Sequence, residues 1–458
     1  MHARHCDVRT RSAALFLDAP PRPKEHVVSS EAAVLDRAPL ACVQLLVVTL
    51  VVFQRFIVPG SAISIAVPVV FIVLIVLAVR GHIVADLTRT GLYLAAMTAC
   101  ALVSLLSSTG AGVELSLNSL LLLAVVYFPC CWRLAPALRS RFPEVLRFFQ
   151  HLMVAVAVAC IGQWAAQLAG WRYHDLLDFL PSQWLASTVD FNLSYPLYYG
   201  SSIYKSNGIV FLEPSFASQF LALAVIVQLL LGGARWRLVL FGGALLTTLS
   251  GTGILLLMVG LAVLALRRGG RWAARTVVAI TVVVVAVSAT PVGSLIGDRS
   301  TESAQEGSSG NARFVAPYDN VVTAVSGDAR ALLVGRGAGS VDRDGDFFNP
   351  RGVPVNYAAV PKLVGEYGLP AALVFLTFVL TVFLRRIPSI TLGVVSCMLY
   401  FVLSSSLLEP QIVYLCWLLT GLFSAAAPSS TPKQWALGRT PRPAGRVRGS
   451  APATSSSL

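Results

Sequence analysis

The sequence predicts an all-α polytopic integral membrane protein with about twelve transmembrane helices. Three observations lead there. Of 458 residues, 56% are hydrophobic and only 12% are charged, with a mean hydropathy of +0.73; ordinary soluble domains carry about 25% charged residues. Apolar runs close to the ~20 residues that cross a bilayer recur along most of the chain. Basic residues collect in alternate gaps between those runs, the distribution that fixes orientation in a membrane.

The first 38 residues are polar, carry Arg4, Arg9, Arg11, Arg22, Lys24 and Arg37, and lack the early apolar core of a cleavable signal. They are expected to form a disordered cytoplasmic tail. A transmembrane domain over 39–427 follows, with spans near 39–58, 61–79, 91–108, 116–132, 148–169, 213–232, 238–250, 252–266, 274–292, 366–384, 388–406 and 411–427. Very short turns divide 39–58 from 61–79 and 238–250 from 252–266, so either pair can equally be one bent or re-entrant element. Residues 428–458, rich in Pro, Ser, Thr and Arg, read as a second disordered cytoplasmic tail.

With the N-terminus inside, 25 of the 35 basic residues and 7 of the 22 acidic ones fall on the inner face. The formal charge of +13 is therefore mainly a topology signal, and nucleic acid is not an expected partner. Most of the eight cysteines lie in or beside apolar runs, which favours packing over a disulfide framework or a zinc site. No internal repeat is visible, which disfavours inverted-repeat transporters. Two outer loops are long, at about 170–212 and 293–365. Long loops inside a folded domain usually serve function.

The first of these loops ends in "SNGIVFLEPSFASQFLALAVIVQLLL", where Glu213 and Pro214 open a membrane helix. Pro suits the first helical turn, and a carboxylate there meets the favourable end of the helix dipole. The alternative is a polar group at the mouth of an outward-facing cavity. The second loop carries Arg299, Arg313, Arg330, Arg336, Arg343, Arg351 and Lys362, which the positive-inside rule does not explain. Arg grips planar oxyanions in a fixed fork, so these residues suggest a phosphate-bearing substrate. Pairing with nearby acids accounts for most of them; Arg313 and Arg336 are the candidates for anion binding. Phe314, Tyr318, Val321, Val322 and Val325 recur at helical spacing, with Arg313 at one end. "VGRGAGS" then offers glycines at 335, 337 and 339, either as a backbone nest for an anion or as a flexible turn. It lacks the Lys-Ser/Thr ending of a Walker A loop. "DRDGDF" at 342–347 has its glycine misplaced for a calcium loop, and His174 stands alone, so no metal is expected.

At these residues the chain resembles the bacterial O-antigen polymerase/ligase superfamily, especially its Wzy-type exopolysaccharide polymerases. Four stretches carry the resemblance: "KSNGIVFLEPSFAS", "LLTTLSGTGILLLMVGL", "ARFVAPYDNVVTAV…LLVGRGAGS" and "VNYAAVPKLVGEYGLPAALVF", in this order over roughly 200–385. Lys205 stands where an Arg is usual, Thr252 where many members carry Arg, and Val355-Asn356 where the ligases carry a His. The last departure argues against a lipid A–core ligase.

The resemblance implies polymerisation of undecaprenyl-pyrophosphate-linked oligosaccharide repeats on the periplasmic face of the inner membrane, without cofactor or metal. It implies Arg313 on the pyrophosphate and Glu213 orienting or deprotonating the acceptor hydroxyl. Arg336, Lys205, Asn356, Gly335 and Gly337 are implied substrate contacts. Expected partners are the lipid-linked glycan, membrane lipid, and a chain-length regulator and flippase. The alternatives are ligase-type transfer to another acceptor and a non-enzymatic polysaccharide or lipid transporter.

Overall fold

The structure is a computed structural model and describes residues 38–109, 116–186, 193–197, 201–270, 274, 309–349, 352, 355–404 and 407–426. The two tails, the span expected at 274–292 and parts of both long outer loops lie outside the described residues.

The described chain is mostly helical. Five helices are long and apolar enough to cross a membrane: Leu87–Ser108, Phe142–Leu168, Pro214–Leu231, Gly251–Arg268 and Ala359–Leu384. Shorter apolar helices occupy Ala38–Val52, Ala66–Val79, Leu117–Tyr127, Trp236–Thr248, Ile390–Met398 and Pro410–Leu419. At 1.5 Å per residue, the 13 residues of Trp236–Thr248 rise about 20 Å, short of a ~30 Å hydrocarbon core. Both doubtful pairs are two helices each. One divides at Leu249, whose φ of 43° is left-handed, and the other divides over 53–65.

Two expectations need correction. The tenth expected span begins at Ala359, not 366, and is kinked where Gly368 adopts φ 69° just ahead of Pro370. Pro370 has no N–H for the helical ladder, and the residues before the kink form their own short helix. Second, the fold is not purely helical. Ile83–Ala85 and Trp132–Leu134 pair antiparallel, Val84 opposite Arg133, because two neighbouring loops satisfy their backbones on each other. The 293–365 loop contains helices Ser309–Phe314, Ala316–Ser326 and Ala329–Val334, the second of them where the apolar spacing of 314–325 predicts one. The last two contribute to a small core of Val321, Val325, Ala331, Val341, Phe348 and Tyr357, while Phe314 packs on the main core. Of the apolar face expected there, Val321 and Val325 are buried while Val322 is exposed.

The Pro214–Leu231 helix is the hub, with Pro214 to Gln228 all buried. It packs against Gly251–Arg268, Trp236–Thr248 and Phe142–Leu168. The approach to Gly251–Arg268 is so close that a Cβ on Gly253 would lie 2.5 Å from the Ser218 carbonyl. Five of the seven described cysteines are buried, all seven are unpaired, and they serve packing.

Segments expected on one face touch one another. On the expected inner side, Arg89 donates to the Gly421 carbonyl at 2.8 Å and to Ser424 Oγ at 2.7 Å, and the Leu134 N–H donates to Leu422 O at 2.8 Å. On the expected outer side, Arg55 forms a forked ion pair with Asp175 and donates to Ile209 O at 3.1 Å. A short bridge between Phe56 and Leu185 continues that tie. The first long loop is thereby fastened to the turn between the first two helices.

Candidate functional site

Glu213 takes extended backbone (φ −146°), and its carbonyl accepts the first helical hydrogen bond, from Ala217. Its side chain does not cap the helix. Its Oε2 instead accepts from Ser215 Oγ at 2.7 Å and from Arg313 Nη2 at 2.8 Å. The two residues expected to be catalytic, 100 positions apart, form one ion pair with each side chain 17% exposed. Arg313 lies in the last turn of Ser309–Phe314, before the bend at Val315, and its Nε is buried without a partner among the described residues.

The four stretches singled out in the sequence meet around this pair. The Ser206 N–H donates to Thr247 O at 3.2 Å. Ser218 Oγ lies 3.3 Å from Thr252 Oγ1 and accepts from the Gly253 N–H at 3.1 Å. Glu213 and Arg313 join the first of these stretches to the third. The Asn356 N–H donates to Ala312 O at 2.9 Å, which brings in the last stretch.

The remaining candidates are placed differently. Gly335 to Gly337 do not form an anion nest. The N–H groups of Arg336 and Gly337 donate to Gly365 O at 3.0 Å and Glu366 O at 2.8 Å, and that of Gly335 to Ala331 O at 2.9 Å. The glycines allow this contact with the broken helix: a Cβ on Gly335 would lie 2.4 Å from Glu366 O, and one on Gly368 2.5 Å from Leu333 O. Arg336 turns to Asp344, 3.1 Å away, with its guanidinium carbon 3.9 Å over the Phe347 ring. Local pairing therefore holds Arg336, the outcome anticipated for most of the outer arginines but not for this one. Lys205 is buried with Nζ 4.1 Å over the Tyr195 ring, and Asn356 is exposed. In "DRDGDF", Asp342 pairs with Lys362 and Asp344 with Arg336. Among the described residues no cluster of three or more His, Cys, Asp or Glu could hold a metal.

Two buried or raised-pKa charged residues near this region escaped the sequence reading. Arg55 is one: it is 2% exposed and sits between two apolar runs on the expected outer face. Glu409 is the other. It precedes Pro410 as Glu213 precedes Pro214, and Leu408-Glu409-Pro410 repeats Leu212-Glu213-Pro214. Burial, and then the negative charge of Glu213 nearby, push the Glu409 carboxyl up to about 7. A cavity of about 520 Å³ opens here, with Leu212 and Glu409 in its wall.

No protein-family model matches the chain, and no curated protein sequence is similar to it.

Proposed function

We propose that the chain is a polytopic membrane glycosyltransferase that polymerises polyprenyl-pyrophosphate-linked oligosaccharide repeats on the outer face of a bacterial inner membrane. In this reading it has about twelve spans, both termini are cytoplasmic, and a flippase and a chain-length regulator are its partners. The observation that carries the reading is the Glu213–Arg313 pair. It stands where four sequence-distant stretches meet, beside a cavity on the expected outer side.

The chemistry follows from the pair. The oxygen of an acceptor sugar hydroxyl bonds to the anomeric carbon of the donor. The bond from that carbon to the pyrophosphate oxygen breaks, and the electron pair leaves with the pyrophosphate. The hydroxyl proton passes to a carboxylate, for which Glu213 is positioned. Negative charge develops on the leaving group, and a guanidinium aimed at it lowers the barrier. Without substrate, Glu213 neutralises Arg313. An arriving pyrophosphate competes for Arg313, using its unpartnered Nε as well, and frees the Glu213 carboxylate for the acceptor. Arg336, already held by Asp344 and Phe347, supports the loop in this account and does not bind the pyrophosphate.

The test is a deletion strain. It should accumulate single lipid-linked repeats and lose long polymer. Long lipid-linked polymer that fails to reach a final acceptor would identify a ligase instead. Repeats stranded on the cytoplasmic side would identify a transporter.

A further inference from the structure

The loop that follows the Phe142–Leu168 helix exposes a run of large apolar side chains. Trp171 is 74% exposed, Leu176 53%, Phe179 79% and Trp184 42%. Apolar groups gathered on one short segment mark a surface that something covers.

The height of the loop bears on what covers it. Arg147 is the last Lys, Arg, Asp or Glu of the helix, and from Phe148 to Leu168 the helix rises about 32 Å, close to the ~30 Å hydrocarbon core of a bilayer. Leu168 therefore stands at the membrane rim on the expected outer side. The loop is held at that level along its length. The Trp171 N–H donates back to Ala166 O at 3.0 Å. Asp175 pairs with Arg55, and the Ile57 N–H donates to Trp184 O at 3.0 Å. Arg55 and Ile57 belong to the turn that joins the apolar helices Ala38–Val52 and Ala66–Val79, so they too lie where helices leave the bilayer. A chain pinned at 171, 175 and 184 runs along the rim and cannot rise far into water.

The backbone and the composition suit that position. Backbone polar groups at the edge of hydrocarbon need partners within the protein. Here the Leu177 N–H donates to Asp175 Oδ1 at 3.1 Å, that of Leu180 to Leu177 O at 2.9 Å and that of Trp184 to Pro181 O at 3.0 Å. Tryptophan is enriched where membrane meets water, because its ring enters lipid while its N–H stays wet. Arg172 and His174 are exposed among the apolar residues, with Asp178 as the exposed acid, and basic groups in such a setting suit a layer of phosphates. With the loop lying on the rim, lipid is the nearest apolar phase that these side chains can enter.

We propose that residues 171–184 form an interfacial anchor, which dips Trp171, Leu176, Phe179 and Trp184 into the leaflet on the expected outer side at the level of the headgroups. This anchoring is independent of the chemistry at Glu213 and Arg313.

The experiment uses the full chain in nanodiscs of phosphatidylethanolamine and phosphatidylglycerol. Phe179→p-acetylphenylalanine takes a spin label without touching the native cysteines. Collisions with oxygen, which concentrates in lipid, are compared with collisions with a water-soluble nickel chelate. Oxygen should dominate and place the label about 5–10 Å below the phosphates. Dominant nickel collisions would put this face in water. Protection from both reagents would put it against protein, such as a second copy of the chain. Either result overturns the anchor. A second measurement needs no label. Lipids brominated high on their acyl chains should quench part of the tryptophan fluorescence, and the double variant Trp171→Phe, Trp184→Phe should lose part of that quenchable signal. Both positions are exposed, so the fold should tolerate phenylalanine. An unchanged quenchable signal would likewise overturn the proposal.

Discussion

Removing the Arg313 side chain tests the site most directly. In the resting protein Arg313 and Glu213 are joined at 2.8 Å and mostly shielded, each side chain 17% exposed. Arg313→Ala leaves Glu213 without its cation and leaves the departing pyrophosphate without a fixed donor. Truncating one member of such a desolvated, hydrogen-bonded pair costs roughly 2–5 kcal/mol. At about 1.4 kcal/mol per decade of rate, polymerisation should fall on the order of thirty-fold or more. The assay is polymer length and amount in a complemented deletion strain, normalised to protein in the membrane. Arg313→Lys should recover part of the activity, because a point charge replaces a fork. Arg343 looks like a neutral control in the sequence but is not one, since it donates to the carbonyls of Ala338 at 2.9 Å and Gly339 at 3.1 Å. Arg172, exposed on the same expected face, is the better control, and Arg172→Ala should change little. Wild-type polymer from Arg313→Ala would remove this residue from the chemistry and leave the pair a structural tie.

Reporter fusions at 190 and 325 should appear outside and fusions at 84, 140, 270 and 440 inside; an inside signal at 325 would place the Glu213–Arg313 site in the cytoplasm and end the mechanism. Gly335→Ala should lower stability by about 1–3 kcal/mol, because φ is 70° there and the new Cβ would lie 2.4 Å from Glu366 O; an unchanged melting midpoint in detergent would show that the loop–helix contact is loose. The Glu409 carboxyl is raised from 4.5 to about 7 by burial and the nearby Glu213 charge. The folded state thus holds this proton more tightly than the unfolded state. Its contribution to stability is complete below about 4.5 and is lost as pH rises through about 7. Glu409→Gln should flatten that part of the stability profile, and an unaltered slope would contradict the shift.

Much of the helical frame is legible in the sequence, because apolar runs of membrane length leave the chain few alternatives. Helix ends are less legible. The start at Ala359 is hidden by Lys362, a charge that a hydropathy reading assigns to a loop but that lies buried in the helix. Arg313 and Glu213 stand out individually, one as a cation on the wrong side for topology and one as a carboxylate at a helix start. Their union is not written locally, since it depends on a contact across 100 residues. The glycines at 335 and 337 mislead, because a left-handed turn that opens toward an anion and one that presses against a backbone have the same local sequence. Glu409 had a signal that passed unread: a second Leu-Glu-Pro at the head of an apolar helix.

The hydrogen bond from Gln411 to Gln54 joins residues 357 positions apart. It has a consequence for biosynthesis. A membrane protein is inserted from its N-terminus onward, so Gln54 emerges early and Gln411 among the last residues of the domain. Until the Pro410–Leu419 helix is in place, the cavity lacks Glu409, Pro410 and Gln411 and stands open on that side. The Glu213–Arg313 pair can form earlier, because both residues precede that helix. The ion pair is thus assembled before the cavity wall is complete. If the chain is the polymerase proposed above, its charged pair would thus exist in the nascent chain before this cavity is walled on all sides.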